Sequence, residues 1–153
     1  MSDGVFPFET GALAPGVTVD KLDYDYYSAD IGAKLHGFTF QGEVYYRNLS
    51  NFWSDGPIPM ASIKDNGFMV EVMQMVVPKT LGVYVATGYV NDQFKRYPWE
   101  LAGGASFYPY KNRSWRLNAH CIHVEKSPTG STFGYYSAGQ TGTTISLGTD
   151  FLF

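Results

Sequence analysis

The sequence predicts an all-β fold, an antiparallel transmembrane β-barrel segment of about seven to eight meander strands. Three observations carry this. Segments of roughly ten residues alternate strictly between apolar and polar, the period of a strand with two unlike faces. The connections between them alternate between short and long, as in outer-membrane barrels. The chain closes on Ile145, Leu147, Thr149, Phe151 and Phe153 along one face, with Ser146, Gly148, Asp150 and Leu152 along the other. An aromatic at the end of such a strand suits a belt between lipid and water.

Composition points the same way. Aromatics make up 17% of the 153 residues, with 12 Tyr, 11 Phe and 17 Gly, a mixture that favours strands and turns over helices. Charged residues are 16%, well below the usual quarter, and a net charge of −3 offers no basic field for nucleic acid. The single cysteine, Cys121, excludes an internal disulfide and a cysteine-rich metal site. No apolar run approaches the length of a membrane helix, but barrel strands carry a much weaker signal.

Residues 1–20, with Pro7, Pro15 and three glycines, read as an extracellular-loop-like segment, and residues 21–153 as the barrel segment. The first clean strand places Tyr27, Ala29, Ile31, Ala33 and Leu35 opposite Ser28, Asp30, Gly32, Lys34 and His36. Gly37 reverses the chain into Phe38, Phe40, Gly42, Val44 and Tyr46, which lie opposite Thr39, Gln41, Glu43, Tyr45 and Arg47. Residues 48–66 read as a long loop that holds Phe52 and Trp53. Residues 67–77 form the least regular strand, since Gln74 falls on the apolar side and Met69, Met73 and Met75 on the polar one.

Residues 78–80 turn into Leu81, Val83, Val85, Thr87 and Tyr89. The next strands run from Trp99 to Phe107 and from Trp115 to about Cys121, and a second long loop covers residues 126–141. An eighth strand in residues 130–138 is the alternative to a seven-strand count. Placing the short turns on the periplasmic side puts Phe38, Phe107, Tyr110, Trp115, Phe151 and Phe153 at that interface. Tyr24, Tyr46, Tyr89 and Trp99 then lie at the outer one. Seven strands leave the N-terminal loop outside the cell, whereas a complete bacterial barrel has an even number. The chain therefore reads as the C-terminal part of a larger barrel, a reading in keeping with the absence of a secretion signal at Met1.

The run Gly67 to Leu81 with its Pro-Lys turn, the strand from Trp99 to Tyr110 with its Tyr-Pro-Tyr end, and the closing Phe-Leu-Phe resemble the C-terminal half of the phosphate-selective porin O and P family. The segment Gly11 to Gly16 and the hairpin from Asp30 to Arg47 share the likeness, which spans roughly residues 11–153. It implies a bacterial outer-membrane porin, homotrimeric and about sixteen-stranded when full length, passing small polar or anionic solutes without a cofactor.

The residues expected to face the water and meet solute are Arg47, Arg116, Lys34, Glu43, Glu71 and Glu100. Arg47 and Arg116 stand out because a guanidinium presents a fork to oxyanions. With Asp30 and Asp150 added the set is acidic, so phosphate selectivity is not carried over. His120, Cys121 and His123 do not suggest a metal site, because strand neighbours face opposite ways. No nucleophile elbow or phosphate-cradling glycine loop occurs, and no enzymatic activity is expected. The alternative is a soluble up-and-down β-barrel that encloses an apolar ligand, with the apolar face turned inward.

Overall fold

The computed structural model describes residues 7–112, 114–127 and 139–152. Seven strands form one antiparallel sheet in sequence order: β1 (Val19–Leu35), β2 (Phe38–Ser54), β3 (Ser62–Val77), β4 (Leu81–Asp92), β5 (Trp99–Phe107), β6 (Trp115–Glu125) and β7 (Gly142–Phe151). No helix occurs among the described residues. Each strand pairs with the next, while β1 and β7 occupy the two edges and make no contact with each other. The expected all-β meander is present as an open sheet. Phe153 and the segment 130–138 lie outside the described residues.

Strands β1 and β2 extend well beyond the segments that alternation marks. The ladder continues through Tyr26↔Arg47, Tyr24↔Leu49 and Asp23↔Ser50, and β2 meets β3 again at Asn48↔Lys64 and Ser50↔Ser62. Most of the loop expected over residues 48–66 is therefore strand, and the connection itself is residues 55–61. Val19 and Asp20, expected in a leading loop, belong to β1. These extensions carry polar side chains on both faces, which removes the period-two signal while leaving backbone pairing intact. Phe52 and Trp53 accordingly belong to β2, and Lys21 lies over the Trp53 ring at 5.0 Å from its centroid. The β1–β2 turn is tight, with His36 and Gly37 both at positive φ (49° and 83°), the backbone of a two-residue hairpin whose twist matches the strands.

The two faces of the sheet differ sharply. One carries Tyr27, Ile31, Leu35, Val44, Phe68, Val72, Val83, Val85, Leu101, Leu117, Ile145 and Leu147, all exposed. The other carries the polar rows and most of the buried side chains, including Leu49, Ile63, Asp65, Asp92, Ser106 and Val124. The sheet curls toward that polar side. A hollow of about 950 Å³ is lined by Lys34 and Thr39 from the first hairpin and by Arg116 and Asp150 from the last. Among the described residues, the buried apolar side chains outside Gly and Pro are Ala14, Val19, Leu49, Ile63 and Val124.

Aromatic rings on the apolar face gather toward its two ends. Toward the long loops, Tyr27 packs on Tyr46 and Phe68 on Tyr89, with centroids 6.5 and 5.9 Å apart. Toward the short turns, Trp115 packs on Phe151 and Tyr110 on Trp115, at 5.6 and 5.7 Å. Tyr24, expected in the outer belt, instead shares the polar face with Tyr26, because its register partner is Leu49. Tyr27 stands at that end of the apolar face instead.

Candidate functional site

Antiparallel register sorts the polar, concave face into rows that run from strand to strand. One row reads Lys34, Thr39, Met73, Tyr84, Gly104, His120 and Ser146. The next reads Gly32, Gln41, Glu71, Ala86, Ala102, Ile122 and Thr144. A third reads Asp30, Glu43, Met69, Gly88, Glu100, Val124 and Gly142. Tyr45 and Gly67 lie one row further toward the long loops, and Arg47, Asp65 and Asp92 beyond them. The six sequence-predicted contact residues thus share one face, at different heights.

Their chemistry is unequal. Arg47 donates from Nε to Asp65 Oδ2 at 3.0 Å and from Nη2 to the same oxygen, and the Asp65 side chain is only 1% exposed. Asp65 in turn lies opposite Asp92, whose Oδ2 accepts from Arg96 Nε at 2.7 Å. Arg47 is therefore held by the buried Asp65 on β3, and Arg96 of the β4–β5 connection by the buried Asp92 on β4. At the short-turn end Arg116 donates from Nε to Asp150 Oδ2 at 3.0 Å, and Asn118 Nδ2 donates to the same oxygen. This second pair is open to solvent, with side chains 45% and 56% exposed.

Lys34, Asp30, Glu43, Glu71 and Glu100 form no side-chain ion pair or hydrogen bond among the described residues. Once the three Arg–Asp pairs are set aside, one lysine faces four carboxylates on the strands of this face. The unpaired charges on the strands of this face are therefore mostly carboxylates, while Lys79 and Lys111 add positive charge at the short-turn end.

Two glycines let aromatic rings lie against this wall. A Cβ on Gly67 would fall 2.7 Å from Tyr45 Cε1, and one on Gly104 would fall 2.6 Å from Tyr84 Cε1. Both tyrosines therefore rest flat over a neighbouring strand's backbone. Tyr26 stacks on Tyr45 at 6.1 Å, and Tyr24 on Tyr26 at 6.3 Å. Tyr26, Tyr45, Met69 and Gly88 line a cavity of about 370 Å³ together with Glu43 and Glu100.

Sequence reasoning placed Glu43, Tyr45, Met69 and Glu100 on this face but did not bring them together, and it did not place Tyr26 there. Alternation gives the face of a residue; only strand register gives its row. Lys79 and Lys111, at the short turns, line the larger hollow with Lys34 and Arg116 and were also missed, because turn residues carry no facing signal. His120 faces the hollow, edge-on to Tyr84. His123 lies on the apolar side, tilted against Trp99, and Cys121 is exposed on that same side.

Comparisons with family profiles, with curated proteins and with solved structures find no match for this chain.

Proposed function

We propose that the chain forms part of the wall of an outer-membrane diffusion pore for small polar solutes. The observation that carries this reading is the inversion of the two faces. Side chains on the convex side are apolar and exposed, whereas the concave face carries the polar rows and the buried Asp65 and Asp92. A protein in water has little reason to expose a continuous apolar face that runs across all seven strands. Lipid on the outside and water within supply one. The soluble-barrel alternative needs the apolar face inside.

The height of the apolar band fits. Trp99 and Phe107 mark its ends on β5, eight residue steps apart, which is about 27 Å along a strand. At the usual tilt of about 40° this is roughly 20 Å, close to the apolar band of about 25 Å with its aromatic girdles. Closure is also required, because hydrocarbon leaves no partner for the free backbone groups of β1 and β7. With seven meander strands the two edges run in the same direction, so antiparallel closure takes an odd number of further strands between them.

The test is reconstitution of the full-length protein into planar lipid bilayers. Stepwise ion conductance and heat-modifiable migration in gels are expected. A protein that stays soluble without detergent and yields no channels contradicts the reading.

A further inference from the structure

We propose that the cavity between Tyr45 and Glu100 is a binding site for small organic cations, ammonium compounds with an apolar or aromatic body. The inference rests on the pore reading and names a solute class for that wall.

Three features meet in this cavity of about 370 Å³. The first is aromatic: Tyr45 lies over Gly67 and stacks on Tyr26, so a pair of rings walls one side. A cation within about 6 Å of such a ring centroid is attracted by its quadrupole. The second is the floor, where Met69 offers a polarizable thioether and Gly88 no side chain at all. The third is charge. Glu43 and Glu100 share one register row with Met69 and Gly88 between them, so the two carboxylates flank the floor from β2 and β5. The Glu100 side chain leans over Gly88, since a Cβ there would sit 3.2 Å from Glu100 Oε1.

Neither carboxylate has a cationic partner among the described residues, in contrast to Asp65, Asp92 and Asp150. An ammonium group hydrogen-bonds to carboxylates while its attached body packs on rings and thioether. An anion meets two like charges there, and a neutral alcohol gains no charge-assisted bond.

The experiment is current block of the full-length protein in planar bilayers, with phenethylammonium and its uncharged analogue 2-phenylethanol as probes. Phenethylammonium is expected to reduce the ion current reversibly, and 2-phenylethanol at the same concentration to leave it unchanged. The double variant Glu43→Gln with Glu100→Gln keeps shape and raises the half-blocking concentration roughly tenfold or more, the loss of about one charge-assisted hydrogen bond. Tyr45→Leu weakens block while keeping the carboxylates. Open channels that phenethylammonium does not block, that 2-phenylethanol blocks equally, or whose block survives the double variant overturn the proposal and leave the pore reading standing. Absence of any channel overturns both.

Discussion

Arg47 and Arg116 lie on the same face of the sheet, yet burial makes their ion pairs very different in weight. Removing Arg47 leaves the Asp65 carboxylate buried without its cation, a situation that costs about 3–5 kcal/mol. Arg47→Ala is therefore expected to lower the unfolding midpoint of the vesicle-reconstituted protein in urea by a large margin, and Asp65→Asn by less. Arg116→Ala should leave that midpoint unchanged, because both partners already reach water. The glycines divide in the same way. At Gly67 a Cβ would lie 2.4 Å from the Tyr89 carbonyl oxygen as well as against the Tyr45 ring, whereas at Gly148 it would meet nothing within 4 Å. Gly67→Ala should cost about 1–3 kcal/mol through overpacking, and Gly148→Ala should change stability by less than about 0.5 kcal/mol. Equal midpoints for the two glycine variants would contradict the described packing.

At the scale of a strand, the two faces of β4 give opposite expectations for neighbouring positions. Val85 is exposed on the apolar side and Ala86 faces the hollow. In a soluble protein an exposed Val accepts Arg with little change. On a lipid-facing strand near mid-height, Val85→Arg costs about 2–4 kcal/mol. Ala86→Arg should spare folding and alter conductance instead. Folding titrations in lipid vesicles compare the two directly.

Much of this architecture was legible in the sequence wherever a strand has unlike faces. The order of strands, the β1–β2 hairpin at Gly37 and the face of every predicted contact residue follow from alternation. Three things did not follow. In the outer parts of β1 and β2 polar residues occur on both faces, so alternation is lost and residues 48–54 read as loop. Tyr24 looked like a belt residue because composition does not say which way a ring points. The Arg47–Asp65 pair and the Tyr45 cavity depend on register between strands, which a single sequence does not specify.

For the molecule as a whole, polarity and curvature agree: the sheet bends toward its charged rows and leaves its apolar rows outside. The pore reading requires lipid over that surface and further strands paired with the free edges of β1 and β7. The native Cys121 offers a direct probe of the first requirement. It is the single cysteine of the chain and lies on the apolar side, while His120 next to it faces the hollow. A nitroxide is attached at Cys121 in the reconstituted full-length protein, and a second at His120→Cys in a Cys121→Ser background. Power-saturation measurements then report collision with oxygen, which concentrates in lipid, and with a water-soluble nickel chelate. The predicted result is oxygen access and nickel exclusion at position 121 with the reverse at position 120; nickel access at 121 and exclusion at 120 would place water on the apolar face and contradict the account.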